Sequence, residues 1–215
     1  MISTLGACPP ENAQLLFNNV DVSNWTKRGG EPAEWKVEDG VLHVVPGKKD
    51  IMTKSRFRDF FLHLEFRCPD MPEATAQKKG NSGVFLQGRY EIQVLDSSGW
   101  ASPGKADCGA VYNQFAPLEN ACAPAMQWQT YDIIFRAPRC NESNAVVEAA
   151  RLTVLLNGIV IQNNVQLAGV TGAPLDEKVE EPGPILLQDH SDLVCYRNIW
   201  ITPLAEKGSD TYEPH

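Results

Sequence analysis

The sequence predicts an all-β protein, a jelly-roll sandwich of two packed antiparallel sheets. Three observations carry that expectation. The 16 glycines and 15 prolines are spread evenly along 215 residues, and the short apolar segments between them suit strands joined by turns. Those segments alternate apolar and polar residues with a period of two, and no helical period is sustained anywhere. A chain of about ten such strands without βα alternation has to close into two sheets, because each sheet must hide its apolar face on something. Residues 1–215 read as one domain, with a core over 14–204 and a loosely held tail at 205–215.

Taken in order, residues 15–17 (LLF) and 21–25 open the pattern, and residues 35–38 and 41–44 form two short runs hinged on Asp39-Gly40. Asp-Gly between alternating runs is a strong hairpin signal, since both central residues of a type I′ turn need positive φ. Residues 60–67 set Phe60, Leu62, Leu64 and Phe66 against Phe61, His63, Glu65 and Arg67, a half-buried strand with a polar open side. Residues 130–136 and 150–156 read as strands, the second turned by Asn157-Gly158 into 159–162. Residues 185–188 and 193–201 supply the last two. Residues 69–79 and 97–127 are long irregular stretches, and loops of more than about 12 to 15 residues are commonly functional or disordered.

Composition excludes several classes of partner. With 19 Lys and Arg against 27 Asp and Glu, the net charge is −8 and the basic residues are scattered, which argues against nucleic acid or an anionic membrane. No apolar run approaches the roughly 20 residues that span a bilayer. The N-terminus lacks the regions of a signal peptide, so export would require a targeting segment upstream of these residues. The six cysteines contain no C-x-x-C pair, which disfavours a zinc ribbon or a thioredoxin-type motif. Cys108 and Cys122 flank one irregular segment and are expected to close it with a disulfide. That cysteine usage points to the periplasm or the extracellular space.

The most telling stretch runs from Gly80 to Asp96. Gly80-Asn81-Ser82-Gly83-Val84-Phe85-Leu86-Gln87 is followed at once by Tyr90-Glu91-Ile92-Gln93-Val94-Leu95-Asp96. Glu91 and Gln93 leave one face of a strand while Ile92 and Val94 leave the other. A row of Glu and Gln beside Arg89 and Tyr90 suits the lining of a groove for a hydroxyl-rich ligand.

Several blocks together resemble one known family. LFNNVDVSNW, WKVEDGVLHV, FLHLEFR, GNSGVFLQGRYEIQVLDS, GAVYNQFAP, MQWQTYDIIF, LNGIVI and GPILLQDHSDLVCYRNIWITPL stand in the order and spacing of the 3-keto-disaccharide hydrolase domain family, formerly a domain of unknown function. The resemblance covers about residues 14–204. It implies a concanavalin A-like jelly roll, usually exported, that cleaves 3-keto-glycosides. A ketone at C3 acidifies the hydrogen on C2, so a base can remove it, the C1 group can leave by elimination, and water can add back. Such chemistry needs a base, donors for the enolate oxygen and an acid for the departing oxygen.

His190, at a strand end and with an ordinary pKa closest to neutral, is the preferred proton-transfer residue. Glu91 is the alternative base or the leaving-group acid, and Glu65 is a second carboxylate. Arg67, Arg89, Gln93 and Gln188 could donate to sugar hydroxyls or the enolate, Asn81 shapes the approach, and Asp96, which simple alternation turns to the opposite face from Glu91, could be returned to the groove by a bulge. Tyr90, Trp100, Tyr112 and Trp128 could stack on a sugar. No cofactor and no metal ligands are assigned; a structural calcium or a divalent cation at the enolate is chemically sensible but has no ligand spacing behind it. Two rivals use the same groove. Laminarinase-like jelly rolls carry Glu-x-Asp-x-x-Glu, which Glu91-Ile92-Gln93-Val94-Leu95-Asp96 imitates with altered residues, and their retaining mechanism needs two carboxyl groups about 5 to 5.5 Å apart. A non-catalytic carbohydrate-binding module needs no His190 beside a carboxylate.

Overall fold

The computed structural model describes residues 4–206. Fifteen strands run in chain order: β1 (Gln14–Leu15), β2 (Trp25–Lys27), β3 (Lys36–Glu38), β4 (Val41–His43), β5 (Ile51–Thr53), β6 (Phe60–Arg67), β7 (Ser82–Leu86), β8 (Tyr90–Val94), β9 (Gln129–Arg136), β10 (Arg139–Cys140), β11 (Val146–Glu148), β12 (Arg151–Leu156), β13 (Ile159–Gln166), β14 (Leu186–Leu187) and β15 (Cys195–Pro203). The helix among the described residues is a single 3-10 turn at Ala76–Lys78. One sheet has eight strands in the order β13-β12-β9-β6-β15-β4-β3, with β1 also paired to β15; a second has five, β2-β5-β14-β7-β8; and β10 and β11 form a small ribbon. All pairings are antiparallel, and the two main sheets pack as a jelly-roll sandwich.

Both expected hairpins form. Asp39 and Gly40 (φ 50° and 74°) join β3 to β4, and Asn157 and Gly158 (φ 55° and 81°) join β12 to β13. A third turn, between β7 and β8, places Gln87 and Gly88 at φ 53° and 68°. Glutamine tolerates that conformation here because its Nε2 donates to the Phe57 carbonyl at 2.9 Å.

The core is the space between the sheets. Leu62, Leu64 and Phe66 of β6 and Tyr131, Ile133 and Phe135 of β9 face Val84, Leu86, Tyr90, Ile92 and Val94 from β7 and β8. Phe66 stacks on Tyr131 with centroids 4.7 Å apart, and Phe60 on Phe135 at 5.1 Å. Burying each of these side chains contributes about 1.5–3 kcal/mol. Alternation then forces the intervening residues outward, onto whichever outer face their sheet presents.

On the eight-stranded sheet that outer face is covered. His63 and Glu65 are buried beneath residues 4–7: the Gly6 amide donates to Glu65 Oε1 at 2.6 Å, and Thr4 Oγ1 donates to Asp132 Oδ2 at 2.6 Å. The side expected to be open on β6 is therefore closed. A bulge in β15 at Asn198 (φ 47°) turns that residue outward beside Arg197. Arg197 Nε donates to Glu65 Oε2 at 2.6 Å and Asn198 Nδ2 to Glu65 Oε1 at 3.1 Å. Burial pushes the Glu65 carboxyl up, but His63, the Gly6 amide, Arg197 and Asn198 outweigh it and hold the pKa at about 2. His63 lies 2.7 Å from Asp132 and stacks on Trp200, and although burial opposes its charge the two carboxylates raise its pKa.

The disulfide expected between Cys108 and Cys122 is not formed. All six cysteines are free. Cys108 Sγ has Tyr131 Oη at 3.3 Å, and Cys122 Sγ reaches the Ala123 and Leu95 carbonyls at 3.4 and 3.6 Å, while the two thiols also hydrogen-bond each other, neighbours without a covalent link. At the C-terminal end, Leu204 N donates to the Asp59 carbonyl and Glu206 pairs with Arg58 at 2.9 Å; the rest of the expected tail lies outside the described residues.

Glu65→Ala is expected to cost about 2–4 kcal/mol in chemical denaturation, because it strands a buried histidine and an amide donor. Since a carboxyl with a depressed pKa stabilises above its unfolded value, the wild-type advantage should disappear as pH falls through about 4.5 toward 2.

Candidate active site

The outer face of the five-stranded sheet carries a cavity of about 320 Å³. Its floor is β8 and β7. Glu91 and Gln93 point away from the core, opposite Phe85 and Gly83 of the neighbouring strand. β8 is the last strand of its sheet, and its free edge is closed by irregular chain. Glu91 N donates to Thr171 Oγ1 at 2.9 Å, and the Glu91 carbonyl accepts from Tyr112 N at 3.1 Å. One residue's backbone thus anchors both walls, Gly172-Ala173 on one side and Tyr112 on the other.

Glu91 is 4% exposed, and its carboxyl group has no hydrogen-bond partner among the described residues. Burial, with a smaller push from Asp50, outweighs the pull of Arg28 and lifts its pKa to about 8. Room for the carboxyl exists only because residue 83 is glycine: a Cβ there would stand 2.5 Å from Glu91 Oε1 and 3.0 Å from the Phe85 ring. Arg28 binds Asp50 and donates to the Ala173 and Pro174 carbonyls at 3.0 and 3.1 Å, which holds the Gly172-Ala173 wall in place.

Around Glu91 the cavity is lined with neutral polar groups. Gln93 Nε2 donates to Asn81 Oδ1 at 2.9 Å, and Asn81 Nδ2 donates to the Gln77 carbonyl at 2.7 Å, a chain that orients the amides. Gln188 lies across the floor with a buried Oε1 that has no partner, an acceptor that a ligand hydroxyl would satisfy. His190, exposed, stands at the rim. Among the described residues no three His, Cys, Asp or Glu side chains gather in a metal-holding group.

A family profile described as the 3-keto-alpha-glucoside-1,2-lyase-like domain matches residues 12–202. The chain belongs to this family. The family match and a solved relative support a carbohydrate-active function. A Parabacteroides distasonis crystal structure, provisionally called a glycosyl hydrolase, shares 39% identity at a TM-score of 0.82, covering 91% of this chain and 85% of the other. Two more from the same organism, provisionally named alike, share 20% and 22% identity at TM-scores of 0.66 and 0.61, cover 91% and 89% of this chain and 95% and 99% of theirs, and show the fold alone. No curated protein matches. No helix among the described residues is long and apolar enough to cross a membrane.

In this family member the structure gathers six of the residues expected from sequence: His190, Glu91, Asn81, Gln93, Gln188 and Tyr112 line the cavity. The others lie elsewhere, for physical reasons. Glu65 and Arg67 sit on the outer face of the opposite sheet, a full sandwich thickness away. Trp128 is on that face too, its ring beneath Arg197 and Arg67 at 4.1 and 4.8 Å, so it offers no sugar platform in the groove. Tyr90 alternates inward against Phe135. Arg89 is fully buried, paired with Asp176 at 2.6 Å and bound to the Glu181 carbonyl. Asp96 pairs with Lys79 at 3.1 Å, and Trp100 packs on the core. Gln77, Gly172 and Ala173 escaped the sequence reading. Gln77 lies in a long loop already suspected of function, whereas a Gly-Ala wall has no chemical signature.

Glu91→Gln tests the burial. A carboxyl with a raised pKa favours the folded state while protonated and loses that advantage as pH climbs from about 4.5 through about 8. The variant should match wild type near pH 4 and exceed it at pH 9 by on the order of a few kcal/mol in denaturant unfolding.

Proposed function

We propose that this cavity cleaves 3-keto-glycosides by elimination and rehydration, with Glu91 as the base and His190 as the acid. The observation that carries the reading is Glu91 itself: a buried, unpartnered carboxyl with a pKa near 8, among amides oriented for hydroxyl groups. A desolvated carboxylate is a strong base, suited to a carbon acid beside a ketone. Sequence reasoning favoured His190 as base because of its ordinary pKa; burial reverses the preference, since Glu91 lies inside the cavity and His190 at its mouth.

The steps balance. Glu91 takes the C2 proton, and the C–H electron pair moves into the C2–C3 bond while the carbonyl electrons move onto the C3 oxygen. The Gln188 amide or the Tyr112 hydroxyl donates to that oxygen. The enolate collapses to an enone conjugated through C1–C2, the C1–O bond breaks, and His190 protonates the departing oxygen. Water then adds to C1, giving its proton to His190, while Glu91 returns its proton to C2. Asp96 does not line this cavity, which removes the second carboxyl that a retaining mechanism built on Glu91 requires. The family's name and the glycosyl hydrolase designation of the 39%-identical relative support a carbohydrate substrate.

The deciding experiment offers a chromogenic 3-keto-glucoside beside its unoxidised parent. Release from the ketone alone is expected; equal release from both would overturn the mechanism, and binding of both without release would make this a binding module. With the ketone, kcat/KM should rise with pH through about 8, whereas a falling limb there would make Glu91 the acid. Gly83→Ala, by displacing the carboxyl, should lower kcat/KM about 100-fold while far-ultraviolet circular dichroism is preserved. His190→Gln should slow loss of a sugar alcohol far more than loss of nitrophenolate, which needs no proton.

A further inference from the structure

A second, open groove of about 800 Å³ adjoins the first. The two share Gln77 and His190, so a ligand leaving the deep cavity past His190 enters the groove. Its walls come from residues 71–78 and from Asp192. They differ in chemistry from the cavity beside them.

Two polar groups of this wall are already engaged. Gln77 Nε2 donates to the Ala106 carbonyl at 2.7 Å, and Asp192 Oδ2 accepts from Asn81 N at 2.7 Å. Ala74 N donates to the Met71 carbonyl and Lys78 N to the Thr75 carbonyl, which closes the segment on itself. Met71 is held in place through Sδ, 3.3 Å from Gly80 N. What faces an occupant is the Met71 side chain, Pro72 and Ala74, beside the exposed side chains of Glu73, Thr75 and Lys78. No aromatic ring lines the groove to stack on a pyranose, and methionine is an adaptable apolar surface.

Resting on the elimination reading above, we infer that this groove receives the group on C1 of the 3-keto sugar and selects an apolar group over a second sugar. The geometry divides the substrate at His190. The ketone-bearing ring, rich in hydroxyls, lies among the amides of the smaller cavity; the departing group, whose oxygen His190 protonates, lies on Met71, Pro72 and Ala74. A second sugar laid on Met71, Pro72 and Ala74 would surrender its hydration without hydrogen bonds from them in return. An alkyl chain gains about 0.8 kcal/mol for each buried methylene.

The test compares three 3-keto-glucosides, methyl, octyl and glucosyl; the first two leaving oxygens match in basicity, and the sugar's, the least basic, favours the disaccharide on chemistry alone. Octyl is expected to exceed both others at least 10-fold in kcat/KM. Met71→Gln and, separately, Ala74→Asp should each collapse the octyl-to-methyl ratio toward one, a ratio insensitive to how much folded protein each sample contains. A wild type that turns over all three and prefers the disaccharide, or variants that keep the octyl preference, would overturn this inference and leave the elimination mechanism standing. Absence of turnover on all three would overturn both.

Discussion

An edge strand leaves a row of backbone N–H and C=O groups unpaired, and those of β8 organise the site. Another strand laid along this edge would extend the sheet and leave no hollow. Irregular chain takes its place. Thr171 and Tyr112 bind the two backbone groups of Glu91, while Gly109 and Ala110 bind those of Gln93. Loops held at single points stand up from the sheet as walls. The strand that presents the carboxyl therefore also builds the enclosure that dries it, and Arg28 braces the far wall through two carbonyls.

The two outer faces of the sandwich show how surroundings divide the work of chemically identical groups. Glu65 and Glu91 are both buried carboxyls projecting from the middle of a strand. Glu65, 1% exposed, is met by an arginine, an asparagine and a backbone amide, and its pKa drops to about 2. Glu91, 4% exposed, is met by nothing, and its pKa climbs to about 8. A carboxylate saturated with donors is inert as a base and serves to fasten residues 4–7 to the sheet. One left unsatisfied stores the desolvation cost as proton affinity.

The contrast extends to the hollow and the groove beyond it. Inside, amides surround Glu91, ending in the orphaned Oε1 of Gln188. Past His190, Gln77 and Asp192 are tied to backbone, and Met71, Pro72 and Ala74 offer an apolar surface. A substrate with one wet and one dry end would match that sequence of surfaces.

Much of this was legible in the chain. Even spacing of Gly and Pro, period-two alternation and the Asp39-Gly40 and Asn157-Gly158 turns settled the strand pattern, because each is local chemistry acting over a few residues. Alternation likewise told that Glu91, Gln93 and Glu65 face away from the core, since side chains on a strand have only two directions. It did not tell which of two sheets a strand would join, so Glu65 and Arg67 were grouped with residues on the opposite side of the sandwich. Nor did it reveal that Arg89 and Asp96 would meet Asp176 and Lys79, partners set by loop paths rather than by period. Proton affinity at Glu91 belongs wholly to the tertiary structure. It depends on how completely distant segments exclude water from one carboxyl without offering it a donor, and no stretch of sequence contains that information.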